Sequence, residues 1–591
     1  MTLEPKTFYN SQLQKFEDEL SDIKKKLNLS SSIRLLVFIA LVLAIYFGWG
    51  NTKILVATLF LGIAAFIFLV MRHNRLKYQQ DLKTELIKRN KLELRVLNRD
   101  FHDLPEGKEF LDPEHWYGPD IDLFGRGSFY QYLNRTALAS GSGVLAQILQ
   151  SNNIENIGRK QAAIQELAQK PEWRQEYGAT ATLVKTEVPA NKLIGWLTDY
   201  KPFVPKQMKV WAYIFSLISS VLIACYFIDL ISGYWVFFAF VAGMGITGSF
   251  VKKINKLSAN TSQIQSTFTQ YSRLLSLIER QEFESGLLAQ KREGIINQQQ
   301  SSSGILKKFS KLLDRLDQRN NILVSLVLNG FFLRDLIICS EIEIWVDQHK
   351  TNVSKWFDTI AFYDAYNSLG NYAFNHKDHV YPTIVDHGKT LECKGVAHPM
   401  LDPKKAVRND IAIAKDEFFI VTGANMAGKS TFLRTVALQL VMANVGLPVC
   451  AQAATYSPIK LITSMRTSDS LADDESYFFS ELKRLKFIVE QMDVDNYFIV
   501  LDEILKGTNS TDKAVGSQKF IKKLVSLGGT GIIATHDLSL CEVAEKLDSV
   551  SNYYFDANIV DGELFFDYQF KEGVCQNMNA SFLLKKMGIV E

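Results

Sequence analysis

Four charge-free apolar runs, set in two close pairs, constrain this chain more than any other feature of its sequence. Leu35 to Trp49 is followed, after Gly50-Asn51-Thr52, by Ile54 to Met71. Far downstream, Val210 to Ile228 is followed, after Asp229 to Gly233, by Tyr234 to Val251. Each run approaches the about 20 apolar residues that a helix needs to cross a hydrocarbon core. The connections are so short that each pair must form a helical hairpin. Lys24, Lys25, Lys26 and Arg34 precede the first run, and Arg72, Arg75 and Lys77 follow the second. Lys201, Lys206 and Lys209 precede the third, and Lys252, Lys253 and Lys256 follow the fourth. The turns hold only Lys53, so cationic flanks put both ends of both hairpins on the cytoplasmic side. Trp49, Tyr234 and Trp235 fall where the far interface favours aromatic rings. The expectation is a multi-pass protein of the cytoplasmic (inner) membrane. Both termini and the C-terminal domain would then be cytoplasmic. Buried hairpins of a soluble protein are the competing reading, and they leave the cationic flanks unexplained.

The mean hydropathy of −0.01 is therefore an average over unlike parts. With 47% hydrophobic and 22% charged residues among 591, disordered, collagen-like and purely coiled-coil chains are excluded. A formal charge of +3 is no polybasic signature and leaves room for a local basic groove. Six scattered cysteines lack the spacing of a zinc site and read as reduced packing residues. Gly243-x-Gly245-x-x-Gly248 spells a dinucleotide fingerprint, but inside an apolar run it reads as close helix packing.

The chain divides into an N-terminal amphipathic helix (1–32), a first transmembrane hairpin (33–71) and a cytoplasmic helix with the first part of a helical core (72–208). A second hairpin (209–252), lever-like core helices (253–350) and an α/β ATPase domain (351–591) follow. Short β-rich runs alternate with helical stretches in the last segment, the pattern of a parallel α/β domain.

That segment carries the chemistry. Gly423-Ala-Asn425-Met426-Ala427-Gly428-Lys429-Ser430 matches G-x-x-x-x-G-K-[ST] between a strand (417–422) and a helix opening at Thr431. Such a loop curls its backbone N–H groups around ATP phosphates, with Lys429 reaching the β- and γ-phosphates and Ser430 offering its hydroxyl to Mg²⁺. A second strand, Tyr497 to Leu501, runs into Asp502 and Glu503. Asp502 is placed to hold Mg²⁺ and Glu503 to act as general base on the attacking water. A third strand, Gly531 to Thr535, ends at His536, whose imidazole can report the γ-phosphate.

The set T-G-A-N-M-A-G-K-S-T (422–431), L-D-E-I-L-K-G-T-N-S-T-D (501–512) and A-T-H-D (534–537) resembles the ATPase domain of the MutS mismatch-repair family. Arg466 to Glu481 resembles that family's signature loop, which implies that Ser476 contacts the ATP of a partner subunit in a dimer. Asp120-Ile-Asp-Leu-Phe-Gly125, Leu133-Asn-Arg-Thr136 and Gly141 resemble the start of the family's helical core. His398-Pro399 and Asn409-Asp410 resemble the approach to its ATPase domain. The resemblance thus implies an ABC-like α/β P-loop ATPase domain and an all-α core with long helices. To these the apolar runs add four transmembrane helices in two hairpins. It also implies ATP and Mg²⁺ as cofactors, a dimer (read as a homodimer), and Asn409 in the nucleotide site.

The departures are as informative. No mismatch-reading domain and no Phe-x-Glu wedge lie near the start. Only about ninety residues separate the last apolar run from the ATPase domain. The chain ends soon after Gly588, where a dimerisation segment would follow. Leu505-Lys506 replaces the usual Gly-Arg, and Ala406 and Val407 stand where an adenine-stacking aromatic is expected. Two readings remain. One is a membrane-anchored ATP-driven switch that binds mismatched or branched DNA through the basic helices 72–99 and 252–319. The other is a membrane mechano-ATPase or scaffold without nucleic acid, with a protein partner that the sequence does not name.

Overall fold

The computed structural model describes residues 4–47, 52–183, 188–261, 264–296, 300–386, 388–424, 426–466, 477–560 and 563–576. The chain opens with two long helices, α1 (Pro5–Phe47) and α2 (Thr52–Leu97), packed along each other. Residues expected to form a separate amphipathic helix and the first span are one continuous helix, because no Gly or Pro interrupts 6–47. In its polar half Phe16 packs with Leu86 and Ile87, framed by ion pairs Lys83–Glu19 and Lys91–Glu17. In its apolar half the large side chains Leu35, Leu36, Phe38 and Phe47 are exposed, and Gly62 admits Leu41 at close range.

A bundle follows: α3 (Phe129–Leu133), α4 (Ala139–Gln150), α5 (Ile157–Ala168), α6 (Pro171–Thr182) and α7 (Ala190–Asp199). Then come α8 (Met208–Phe227) and α9 (Gly233–Thr261), the expected second hairpin. Three helices are long and apolar enough to cross a membrane by length and composition, namely α1, α8 and α9. The run expected as a further span, Ile54 to Met71, lies in α2, where the side chains of 52–57 and 59 fall outside the description. Among the described residues three helices qualify, where four spans were expected.

After α10 (Gln265–Arg280), α11 (Gly286–Glu293) and α12 (Ser302–Asp317) comes a helix that the sequence reading ran together with its neighbours. This is α13 (Ile322–Phe332), and it packs on α8 and α9. Gly243 of α9 meets Gly330 of α13 so closely that a Cβ on Gly243 would lie 2.0 Å from the Gly330 carbonyl oxygen. Gly245 and Gly248 have nothing within 4 Å of that position, so only the first glycine of the expected packing motif makes the contact. Leu333, in the left-handed conformation, then turns the chain into α14 (Arg334–Asn375).

This helix is the spine of the core, packing on α4, α5, α6, α7, α8 and α12. The expected domain boundary at 351 falls inside it, since Val353 to Phe374 carries an unbroken helical pattern of buried aromatics. Its Asp364 carboxylate accepts the backbone N–H groups of Ala137 and Leu138, serving as a cap for α4 from a distant helix. Gly141 lies against that carboxylate, where a Cβ would be 2.2 Å from Oδ2. The buried pair Arg135–Glu93, at 2.6 Å, ties α2 to the same junction.

Among the described residues the last part holds a six-stranded sheet, a four-stranded sheet and a separate two-stranded antiparallel ribbon. Strands β1 (Thr383–Ile384), β2 (Lys389–Val396) and β3 (Asn409–Ala414) precede β4 (Phe418–Gly423), which leads into α15 (Lys429–Val445). Next come β5 (Ala453–Tyr456), β6 (Lys460–Ser464), α16 (Tyr477–Met492) and β7 (Tyr497–Asp502). α17 (Ser510–Ser526), β8 (Thr530–Ala534), β9 (Val550–Phe555), β10 (Ala557–Val560), β11 (Glu563–Phe566) and β12 (Lys571–Glu572) complete the described chain. The larger sheet has the order β12-β9-β4-β8-β7-β6, parallel except for β12. Its central strands read as continuous apolar runs because both faces are covered. The smaller sheet has the order β1-β5-β2-β3.

Candidate nucleotide site

Strand order places the three sequence motifs side by side. β4 lies next to β8, and β8 next to β7, so Gly423, Asp502 and Ala534 end together at one edge. In parallel sheets that carboxyl edge is where ligands bind. Glu503 N–H donates to Ala534 O at 2.9 Å and Thr535 N–H to Val421 O at 3.0 Å, extending the ladder into the loops.

The loop after β4 needs its glycines. Gly423 has φ +147°, and a Cβ there would lie 2.5 Å from Phe555 O; Gly428 has φ +101° and caps α15. Met426 is exposed with φ +66°, and Ala427 is buried. Met426, Gly428, Lys429, Ser430, Thr431 and Asn409 all line a cavity of about 460 Å³ together with Glu503 and His536. Asn425 and Ser476 lie outside the described residues.

Lys429 is buried, and its Nζ donates to Gly423 O (2.8 Å) and Ala424 O (2.9 Å) while standing 3.4 Å from His536 Nε2. Burial pulls its ammonium below the ordinary lysine range. His536 Nε2 is 2.7 Å from Glu503 Oε1, and Lys506 Nζ is 3.7 Å from Oε2. The hydrogen bond to His536, with the nearby cations, holds the Glu503 carboxyl down to about 2. Burial pushes Asp502 the other way, above the usual carboxylate range, although Ser430 hydrogen-bonds it. Its Oδ1 is buried without a hydrogen-bond partner among the described residues. A buried carboxylate oxygen left unpaired beside a serine hydroxyl fits a divalent cation such as Mg²⁺, which supplies charge neutralisation when bound.

Three features escaped the sequence reading. Glu481, buried in α16, accepts the backbone N–H groups of Leu505 and Lys506 and so ties the signature helix to the acidic strand end. That anchor holds Leu505 at φ +59°, a conformation that favours glycine, at the position where Leu replaces the usual Gly. Second, an aromatic ring does reach the cavity. It is Tyr568, brought in because the Asn409 side chain donates to Tyr568 O (3.0 Å) and accepts from Phe570 N–H (2.8 Å). No local pattern near Ala406 and Val407 could show it. Third, Asp120 and Asp122 grip the site from the helical core. Arg466 N–H donates to Asp120 Oδ1 at 2.7 Å, and Asp122 pairs with Arg466 (2.8 Å) and Arg434 of α15 (3.5 Å).

A glycine-rich loop between a central parallel strand and a helix N-terminus, flanked by an acidic strand end, is an arrangement suited to cradling nucleotide phosphates. Residues 419–585 match the family model of MutS domain V. "MutS protein homolog 4" of Homo sapiens is 30% identical over 257 residues, which cover 41% of this chain and 27% of that protein. "DNA mismatch repair protein MutS" of Clostridium perfringens is 31% identical over 264 residues, 43% of this chain and 28% of the relative. The protein of the same name from Fusobacterium nucleatum is 33% identical over 214 residues, 35% and 23%. The likeness to the MutS family lies in this C-terminal part, and the chain spans about a quarter of the length of these relatives.

Proposed function

We propose that this protein is a membrane-anchored MutS-like ATPase, a dimeric ATP-driven switch that binds mismatched or branched DNA at the cytoplasmic face of the inner membrane. One observation carries the reading: Lys429, Ser430, Glu503 and His536 line a single cavity at the carboxyl edge of three adjacent strands, with Asp502 hydrogen-bonded to Ser430 beside it. Lys429 would leave its loop carbonyls for the ATP phosphates, and Ser430 with Asp502 would hold Mg²⁺. Tyr568 offers its ring to the adenine. Glu503 becomes available as a base once His536 turns to the γ-phosphate, so nucleotide binding and base release are one event. Ser476 would complete the site of the partner subunit. Closure of such a dimer on ATP and its reopening after hydrolysis is a two-state switch.

The exposed apolar faces of α1, α8, α9 and α13 support the anchor. The likeness to MutS proteins supports the DNA role. The test is a mobility shift of branched and mismatched duplex by the full chain in neutral detergent, with and without ATP. Binding that ATP modulates and salt weakens supports the reading. Absence of binding at low salt, with ATP turnover governed by added lipid, would favour the mechano-ATPase. That second reading has its own support. Arg484 of α16 donates to the carbonyls of His115 (3.0 Å) and Trp116 (2.6 Å), so the switch segment is bonded directly to the helical core.

A further inference from the structure

We propose that the cleft between α8, the end of α12, α13 and the start of α14 binds the headgroup of an anionic phospholipid. The proposal rests on the membrane reading above and deepens it. The cleft is open, about 410 Å³ in volume, with Tyr213, Leu328, Phe332 and Ile337 on its apolar side and Arg315 and Arg334 on the other. Tyr213 stands in the second turn of α8, Leu328 and Phe332 close α13, Arg315 ends α12, and Arg334 begins α14.

The charges do not cancel. Glu341, also at the cleft, is paired with Lys209 at 3.2 Å, and Asp335 is paired with Arg319 at 3.2 Å. Arg315 and Arg334 form no ion pair among the described residues. The Arg334 guanidinium is fixed by donating from Nη2 to Arg315 O (3.1 Å) and Gln318 Oε1 (2.8 Å). Its Nη1 is buried and has no hydrogen-bond partner among the described residues. An immobilised guanidinium with an unused donor, beside a second arginine, suits a phosphodiester oxygen.

A free phosphate would use those cations and nothing else. The surfaces that flank them are apolar and exposed: Val210, Trp211 and Leu217 on α8, and Ile322, Val324 and Val327 on α13. A phosphate carrying acyl chains meets both halves of this surface, which selects a phospholipid over a soluble anion or a nucleic-acid backbone.

The full chain, delipidated in mild neutral detergent, is offered mixed micelles of phosphatidylglycerol or phosphatidylcholine, and retained lipid is counted by native mass spectrometry. Phosphatidylglycerol should be retained preferentially. Arg315→Gln should lower its retention about fivefold, and the double variant with Arg334→Gln by about 25-fold, as expected for cations at an anionic surface. Lys307→Gln, an exposed cation elsewhere on α12, should retain lipid like the wild type. Arg315 is exposed, so its single variant decides the matter should Arg334→Gln disturb the fold. Equal retention of the two lipids, undiminished retention by Arg315→Gln, or displacement by equimolar glycerol 3-phosphate overturns the proposal. So does loss of duplex binding in Arg315→Gln with lipid retention intact. A chain that stays in solution without detergent overturns the membrane reading itself, whereas membrane residence without lipid selectivity overturns only the headgroup site.

Discussion

Glu503 and His536 set the resting state of the nucleotide site. At 2.7 Å they satisfy one another, and a carboxyl held down to about 2 is a weak base while that bond persists. Replacing Glu503 by Gln should leave ATP binding intact and reduce turnover by roughly 10²–10⁴-fold, the usual contribution of a positioned base. Steady-state hydrolysis measured beside nucleotide affinity checks this, and unchanged turnover would remove Glu503 from the role. The sequence displayed Glu503 and His536 because each ends an apolar strand. Glu481 stayed hidden, since a carboxylate that accepts backbone N–H groups in the next loop looks, in one dimension, like any helix residue.

At the scale of elements, the second hairpin shows where pattern succeeds and where it stops. Hydropathy located α8 and the start of α9 closely, because period and length are local properties, but α9 runs past the expected end at Val251 to Thr261, where polar residues continue the helix. It missed α13 as a unit, because an apolar stretch of 11 residues suits a buried core helix equally well. The glycines of α9 make this testable. Gly243→Ala would drive a methyl into the Gly330 carbonyl and should cost about 1–3 kcal/mol. Gly245→Ala faces open space and should change stability by no more than about 0.5 kcal/mol. Thermal midpoints in detergent distinguish the two, and equal losses would disprove the α9–α13 contact. Likewise α14 runs through the expected boundary at 351, its packing face continued by buried aromatics such as Trp356, Phe357 and Tyr363.

For the whole molecule, half-buried histidines tie stability to pH. His376 has its Nδ1 on Tyr372 O (2.9 Å) and its Nε2 on Tyr132 Oη (2.8 Å), an arrangement that suits a neutral ring donating to the carbonyl. Burial lowers it from the ordinary 6.5 to about 4, and His398 beside the nucleotide cavity likewise to about 4. The unfolded chain therefore takes up protons first. Stability is complete above about pH 6.5 and declines as pH falls toward 4, by roughly 1–2 kcal/mol per histidine at pH 5. Urea midpoints at pH 7.5 and pH 5 should show the drop, and His376→Gln should shrink it. A variant with the wild-type pH dependence would rule His376 out as a source.

Two struts meet at one joint. The polar part of α1, from Pro5 to Arg34, is about 45 Å long, and α14 is about 63 Å long at the helical rise per residue. They meet where Tyr9 Oη donates to Asn375 Oδ1 at 2.7 Å and the Phe8 and Phe374 rings pack edge to face. On the membrane reading proposed above, their other ends would reach the bilayer and the two helices would act as a truss that sets the clearance beneath the C-terminal sheets. A change of state in that part would then reach the lipid as a tilt of the frame.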